Sequence, residues 1–314
     1  MSNRNFGSAS ARSCLARPTS NTSGFPEGVE IAVGDVTKPE TLAAASAGVD
    51  VVFHLAAMLK APWRPDFLSA NAGGIENIAS ACAAAQSSPR LVVVSSLAAG
   101  GPVAIGEVRD EKSVSVPVSR YGRSKLAGER AARKLAKQVS MAFVRPPIVF
   151  GEGDKNSAGL FRLASRGLTV TATRGESPVS VIHAADLATA LLVVAKNGER
   201  AAEAETAEGL YYATGAPPLD MIDFGRLIGD SMGKRVRALR LPKAVTLIAA
   251  ASSEMIGRLR DQPRFLSIDK YREAVGGSWA CSGSKLRELG FRAEPLENRI
   301  EQTIEGYRAS GQLR

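Results

Sequence analysis

The sequence predicts a doubly wound α/β fold, in which a parallel sheet is followed by a smaller, helix-rich lobe. Apolar runs rich in valine recur along the first half of the chain, and segments with helical spacing separate them. Runs without strict polar alternation are typical of strands that are covered on both faces. Strands that alternate with helices favour a parallel sheet with right-handed crossovers.

Four apolar runs are the predicted strands of this sheet, and three segments between them are the predicted helices. The strands are VEIAVGDV (29–36), VDVVFHLAA (49–57), RLVVVSSLAA (90–99) and MAFVRPPIVF (141–150). The helices are KPETLAAASAG (38–48), NAGGIENIASACAAAQ (71–86) and YGRSKLAGERAARKLAKQ (121–138).

The pattern becomes mostly helical after residue 150, which predicts a second domain. A short strand enters a helix in VSVIHAADLATALLVVAKNG (179–198), and GLYYATG (209–215) is a further strand. Gly and Pro bound the predicted helices in 219–234, 242–259 and 295–311. We expect a sheet domain over 1–165 and a lobe over 166–314, with part of 179–215 returning to the sheet domain.

Composition excludes several classes of protein. At 314 residues and 45% apolar content, the chain can bury a large core. No apolar run reaches the ~18 residues that a membrane span needs, so no membrane partner is expected. The net charge is +9, but Lys and Arg are dispersed and aromatic content is only 5%, so no nucleic-acid partner is expected. Three separated cysteines and two histidines predict neither disulfides nor a metal site, as in a cytoplasmic protein.

The segment SRYGRSKLAGE carries the strongest chemical signal. Tyr121 and Lys125 lie four residues apart and hence on one face of the predicted helix. A nearby ammonium group stabilises a phenolate, which would lower the pKa of the tyrosine and make it a usable acid or base. The run VVVSSLAAGG places Ser95 and Ser96 at the end of a preceding strand, where ligands bind in parallel sheets.

Together, these segments resemble the extended short-chain dehydrogenase/reductase superfamily, also called the NAD-dependent epimerase/dehydratase family. The resemblance covers roughly residue 13 to the C-terminus, and it implies a Rossmann-like sheet domain that binds NAD(P). It implies a catalytic set of Ser96, Tyr121 and Lys125. Tyr121 would exchange the proton and Ser96 would hold the substrate oxygen. Lys125 would lower the tyrosine pKa and bind the nicotinamide ribose.

The same resemblance implies further site residues. Asn71 corresponds to an asparagine that often braces the active site, although an asparagine at that position is also a good helix cap. The remaining residues would line the cofactor: Asp35 and Val36 in GDVTKPETL, Leu55, Ala56 and Ala57 in HLAAM, Val94 and Ser95, and Pro146, Pro147 and Ile148 in RPPIVFGEGD.

The first residues depart from the family pattern. RSCLARPTSN resembles the end of the second strand in reductase-like members, where an arginine meets the 2′-phosphate of NADP. Arg17 holds that position, so NADP is the expected cofactor, with NAD as the other possibility. A first strand and a G-x-x-G-x-x-G turn would precede it, but the preceding residues contain only Gly7. We therefore expect the first βα unit to be missing or replaced and cofactor binding to be weak.

Three functions remain open from the sequence. The first is an NADP-dependent oxidoreductase that interconverts a secondary alcohol and a ketone on a small or medium apolar substrate. Leu247, Ile248, Met255 and Ile256 would lie near its pocket, unless they are simply core. The second is a nucleotide-sugar epimerase or dehydratase with tightly bound NAD. The third is a catalytically impaired cofactor-sensing or binding protein. A homodimer through the helices around 72–86 and 121–138 is implied by the resemblance.

Overall fold

The computed structural model describes residues 12–59, 67–172, 175–176, 178–260 and 266–313. It confirms the predicted class, because parallel strands alternate with helices through the first half of the chain. The strands are β1 (Arg12–Ala16), β2 (Val29–Val33), β3 (Val51–His54), β4 (Arg90–Val94), β5 (Met141–Arg145), β6 (Ile148–Phe150), β7 (Leu168–Thr171), β8 (Pro178–Val179), β9 (Val181–His183), β10 (Leu210–Tyr212), β11 (Leu219–Asp220) and β12 (Arg237–Arg240).

The helices include both long and very short elements. A 3₁₀ turn spans Pro39–Thr41 and a π-helical turn spans Leu68–Gly73. The α-helices are α1 (Ala43–Ser46), α2 (Gly74–Ala84), α3 (Leu97–Gly100), α4 (Arg120–Arg133), α5 (Ala158–Ser165), α6 (Ala184–Asn197), α7 (Met221–Asp230), α8 (Lys243–Leu259), α9 (Ile268–Ala274), α10 (Ser284–Glu288) and α11 (Leu296–Ala309).

The central sheet contains β10, β5, β4 and β3 in that order, all parallel. Alternate residues of β4 enter different cores: Leu91 and Val93 pack with residues of α2, whereas Val92 packs with residues of α6. All three side chains are fully buried. Helices on both faces therefore account for the continuous apolar run that the sequence shows here.

The first two strands form a separate parallel pair, in which Arg12 is opposite Val29 and Ala16 is opposite Val33. Within the described residues, no strand is hydrogen-bonded between β1 and β3. Val33 remains 65% exposed although it lies in a strand. The part of the sequence expected to lack the glycine turn, residues 1–11, lies outside the described residues.

Three predicted elements were wrong in extent. The strand predicted over 90–99 ends at Val94, because Ser96 caps the helix that begins at Leu97. The run 141–150 forms two strands, because Pro146 and Pro147 offer no backbone N–H to a sheet. β6 pairs with β9 instead of extending β5. The helix predicted over 38–48 is reduced to the 3₁₀ turn and α1.

The second half of the chain supplies strands and helices beside the carboxyl edge of the sheet. β10 returns to the central sheet beside β5, and α6 packs on β4 and β5. The domain boundary at residue 165 stays a proposal. Throughout the described ranges, no helix is both long and apolar enough to cross a membrane.

Candidate active site

The two serines that follow β4 point in different directions. Ser96 has extended backbone angles and caps α3, because its Oγ accepts a hydrogen bond from the Ala98 N–H at 3.1 Å. Ser95 is buried and its hydroxyl donates to the carboxylate of Glu129. The Ser96 hydroxyl is therefore the one that the site can use, and any cofactor contact of Ser95 would have to come from its backbone.

Two side chains accept hydrogen bonds from the free backbone N–H groups at the start of helix α4. Ser119 Oγ accepts from the Gly122 N–H at 3.0 Å. Asp269 Oδ2, from α9, accepts from the N–H groups of Arg120 at 2.7 Å and Tyr121 at 3.3 Å. A carboxylate at a helix N-terminus also interacts favourably with the helix dipole. The C-terminal lobe thus fixes the backbone that carries Tyr121.

The Ser96 hydroxyl lies beside the phenol of Tyr121, close enough to act on its pKa. This approach requires glycine at position 122, because a Cβ there would clash with the carbonyl oxygen of Ala98. The ring of Phe67 lies edge-on to the Tyr121 ring with the centroids 6.4 Å apart. The Ser96–Tyr121 pair therefore lies at the carboxyl end of β4, next to the ring of Phe67.

Burial raises the pKa of Tyr121 to about 12, an effect that the Ser96 hydroxyl opposes and the nearby Glu273 carboxylate reinforces. The net direction is opposite to the lowered tyrosine pKa that the spacing to Lys125 predicts. Burial outweighs any such stabilisation because removing a phenolate from water is costly. The tyrosine is consequently a protonated acid at neutral pH.

Lys125 lies one helical turn after Tyr121 and is fully buried. Its Nζ donates to the carbonyl oxygen of Val94 at 2.7 Å. Burial lowers the pKa of Lys125 to about 8, although the Glu129 carboxylate favours the charged form. The ammonium is thus held at the carboxyl end of β4 and titrates near the physiological range.

Asn71 joins the loop after β3 to α4. Its Oδ1 accepts from the Met58 N–H at 2.7 Å, and its Nδ2 donates to the Met58 carbonyl at 3.0 Å. The same Nδ2 donates to Ser124 Oγ at 2.9 Å. These contacts agree with a bracing residue more than with a helix cap, because Asn71 lies within the π-helical turn and is not its first residue.

The predicted cofactor residues follow the carboxyl ends of parallel strands, which is where ligands bind in parallel sheets. Arg17 follows β1 and is exposed. Asp35 follows β2, and hydrogen bonds from the Thr37 N–H and hydroxyl lower its pKa. Val36 accepts a hydrogen bond through its carbonyl from Asn77 at 2.8 Å.

The remaining predicted cofactor residues follow β3 and β5. Leu55 is 58% exposed, and Ala56 and Ala57 beside it are also exposed. The Pro146 carbonyl accepts from the Leu97 N–H at 2.8 Å, and Pro147 and Ile148 follow it.

The described residues fit a dinucleotide. His54, at the end of β3, has a buried Nε2 without a hydrogen-bond partner in the described structure. Burial and the neighbouring Lys125 charge lower the pKa of His54 to about 3, so it is neutral. The unpaired His54 Nε2 and the buried Lys125 amine are polar partners for a nucleotide. The small side chains of Ala56 and Ala57 at the end of β3 let it approach closely. In the same described ranges, no cluster of His, Cys, Asp or Glu could hold a metal ion.

A buried ion pair beneath the site was not predicted from the sequence. Glu129 accepts from Arg145 at 2.9 Å and 2.6 Å, and both side chains are 1% exposed. Arg145 also donates to the Tyr212 hydroxyl at 3.0 Å. An arginine within the apolar run MAFVRPP was the available signal, because an arginine in a buried strand needs a partner.

Asp269 was also missed, because its partners are about 150 positions away in the sequence. Its neighbours on α9 face the same tyrosine. Lys270 Nζ lies 5.9 Å from the centre of the Tyr121 ring and binds Glu273 at 2.6 Å. No local pattern around SIDKYREA points to these contacts.

Replacing Asp269 with alanine is expected to lower kcat about tenfold, because α4 loses one of its two N-terminal acceptors and Tyr121 loses its fixed position. The affinity for NADPH should stay unchanged, and stability should fall by about 1 kcal/mol. Asp269→Asn keeps an acceptor oxygen and should retain most activity. Asp223→Ala, at an exposed carboxylate of α7, is the control. An equal loss of kcat in that control would contradict the positioning role.

The chain is similar in sequence and in fold to several known proteins. The model of the "NAD dependent epimerase/dehydratase family" matches residues 6–207. A ceramide reductase from Caulobacter vibrioides is 28% identical over 298 residues, covering 91% of this chain and 82% of that protein. Short-chain dehydrogenase/reductase family 42E member 1 from Bos taurus is 26% identical over 322 residues, covering 91% and 78%. The crystal structure of gox2253 superposes with a TM-score of 0.75 at 24% identity, covering 96% and 91%.

Proposed function

Because this chain belongs to the NAD-dependent epimerase/dehydratase family, we propose that it is an NADP-dependent oxidoreductase that interconverts a ketone and a secondary alcohol on an apolar substrate. It is an NAD(P)-dependent enzyme of the extended short-chain dehydrogenase type. The observation that carries this proposal is the position of the Ser96 hydroxyl beside a protonated Tyr121 at the carboxyl end of β4.

The reduction needs one hydride and one proton. NADPH, when bound, supplies the hydride to the carbonyl carbon. Ser96 holds the carbonyl oxygen, and Tyr121 transfers its phenolic proton to that oxygen. The C=O double bond thereby becomes one C–O single bond, one new C–H bond and one new O–H bond, and the phenolate regains its proton from solvent.

The pKa directions suit the reduction. A tyrosine whose pKa is about 12 is fully protonated at neutral pH and is therefore a donor. Lys125, with a pKa of about 8, is mostly charged at neutral pH and would stabilise the phenolate that the transfer leaves. Folding lowers the pKa of Lys125, so burying its charge lowers the free energy of unfolding. This loss is complete below pH 8 and is relieved as pH rises from about 8 toward 10.5.

Arg17 is the residue on which the choice of NADP rests. Replacing it with alanine should weaken NADPH binding about 10- to 100-fold, because a charged hydrogen bond to a phosphate is lost. NADH binding should hardly change, since NADH lacks that phosphate. Nucleotide fluorescence titrations would measure both constants. Arg308→Ala, at an exposed arginine of α11, is the matched control. Equal weakening for both nucleotides would contradict the assignment.

The relative named ceramide reductase supports an apolar substrate, because a ceramide is a lipid amide. The test is NADPH oxidation by the purified protein with a panel of apolar ketones that includes a keto-ceramide. We expect turnover of at least one lipid ketone and none of UDP- or TDP-sugars. Turnover of a sugar nucleotide with retained NAD would replace this proposal with the epimerase or dehydratase function. Cofactor binding without turnover of any substrate would favour a binding protein.

We also propose a cytoplasmic homodimer joined through the helices around 72–86 and 121–138. Light scattering during size-exclusion chromatography would measure its mass.

A further inference from the structure

Helix α8 exposes large apolar side chains along one face. Val245 is 50% exposed, Ile248 66%, Met255 61% and Leu259 80%. Their spacing of three, seven and four residues places them on one side of an α-helix. This row, with Ile256 at 37% exposed beside it, is called the α8 apolar face below.

The opposite side of α8 is the side that packs against the protein, and it carries small side chains. Thr246, Ala250 and Gly257 are buried. A surface helix in water normally buries its large apolar residues and exposes polar ones. α8 has the reverse arrangement, so its apolar face is not explained by the core. The alternative that Leu247, Ile248, Met255 and Ile256 are simply core residues is therefore excluded, and their place near a substrate pocket stays a prediction.

The residues around α8 are strongly basic. Between positions 231 and 260, the Lys and Arg residues are Lys234, Arg235, Arg237, Arg240, Lys243, Arg258 and Arg260, and the single acid is Glu254. Lys234, Arg235, Arg237, Lys243 and Arg260 are exposed. Glu254 does not offset this charge at the surface, because its Oε2 accepts from the Ile268 N–H at 2.9 Å and its Oε1 lies 3.9 Å from Arg120.

We propose that the α8 apolar face and its basic flanks dock this protein onto the surface of an anionic lipid bilayer. A helix with an apolar face and cationic flanks lies in the membrane interface, where apolar side chains enter the acyl boundary and Lys and Arg meet anionic headgroups. A second copy of this chain is a poorer occupant, because a twofold contact would bring the same cations opposite each other. The sequence alone did not predict this membrane partner.

The docking surface is connected to the candidate active site by a short series of contacts. Glu254 of α8 holds the start of α9 through the Ile268 N–H. Asp269 of α9 then holds the backbone of Tyr121. A lipid leaving the bilayer at α8 would therefore meet the part of the lobe that covers the tyrosine. The docking proposal stands on α8 alone, so its failure would leave the redox proposal unaffected.

The test is sedimentation of the full chain with phosphatidylcholine vesicles, with and without phosphatidylglycerol. We expect binding to the anionic vesicles at least tenfold stronger than to the neutral ones, and weaker binding as salt increases. Ile248→Glu combined with Met255→Glu should lower anionic-vesicle binding at least tenfold. Arg237→Gln combined with Lys243→Gln should lower it while leaving any weak neutral-vesicle binding unchanged.

Leu192→Glu is the matched control, because Leu192 is 61% exposed on α6, a different helix, which packs on β4 and β5. Its vesicle binding should equal that of the unmodified chain, and far-ultraviolet circular dichroism should show that every variant is folded. Equal binding to anionic and neutral vesicles, no binding to either, or an equal loss in Leu192→Glu would overturn the proposal. A dimer that becomes monomeric only in the Ile248→Glu, Met255→Glu variant would assign the face to a second copy instead.

Discussion

Replacing Tyr121 with phenylalanine is expected to lower kcat about 10²- to 10⁴-fold, because the carbonyl oxygen loses its proton donor. The ring of Phe67 should still pack against the substituted ring, since only the hydroxyl is removed. Affinity for NADPH and thermal stability should change little. Steady-state kinetics with the lipid ketone and a thermal melt would measure these quantities.

The control for this substitution is Tyr271→Phe, in a neighbouring tyrosine of α9 that makes no contact in the proposed reaction. That variant should keep full activity. Turnover by Tyr121→Phe within twofold of the unmodified chain would exclude Tyr121 as the acid. A loss of NADPH binding together with activity would instead indicate that the hydroxyl serves the cofactor.

Replacing Glu129 with glutamine is expected to destabilise the fold by about 3–5 kcal/mol, because Arg145 would remain charged in a buried position without its counter-charge. Burial disfavours the charge of Arg145, whereas the Glu129 carboxylate and the Tyr212 hydroxyl raise its pKa. The substitution removes the carboxylate, and Arg145 still stays charged because a guanidinium is not deprotonated in proteins. Ser95 and Arg145 would then compete for the one amide oxygen that glutamine offers. Urea unfolding followed by circular dichroism would give the change in the free energy of unfolding.

Two further variants separate charge from packing at this ion pair. Adding Arg145→Met to Glu129→Gln should recover part of the lost stability, because the unpaired charge is then removed. Glu203→Gln breaks the exposed ion pair with Lys137, in which the charged atoms are 2.8 Å apart and the side chains are 84% (Lys137) and 53% (Glu203) exposed. This variant should leave the urea midpoint of unfolding unchanged. Equal midpoints for Glu129→Gln and Glu203→Gln would show that burial does not strengthen the inner pair.

The sequence predicted the features that depend on local spacing. The order of strands and helices follows from apolar periodicity. Helical spacing places Tyr121 beside Lys125, and the resemblance to the family added Ser96 to them. The structure brings the side chains of Ser96 and Tyr121 next to each other. Their roles in catalysis, with those of Asn71 and Arg17, stay predictions until the variants are measured.

Features that depend on distant parts of the chain were not predicted. Asp269 reaches Tyr121 across 148 positions, and Arg145 reaches Tyr212 across 67. The direction of the Tyr121 pKa shift was wrong because the spacing to Lys125 reveals a charge but not the burial that outweighs it. The outward orientation of α8 was missed for the same reason, since its periodicity does not say which side meets the core.

The most direct test of the central claim follows the hydrogen from the cofactor to the product. Purified protein would be given NADPH that carries deuterium at C4 of the nicotinamide on one face at a time, together with a keto-ceramide, and the product would be analysed by mass spectrometry. One labelled face should yield an alcohol one mass unit heavier, with deuterium on the former carbonyl carbon, and Tyr121→Phe should yield almost none. Alcohol formed without deuterium from either labelled face, or formed equally by Tyr121→Phe, would contradict direct hydride transfer at the Ser96–Tyr121 site.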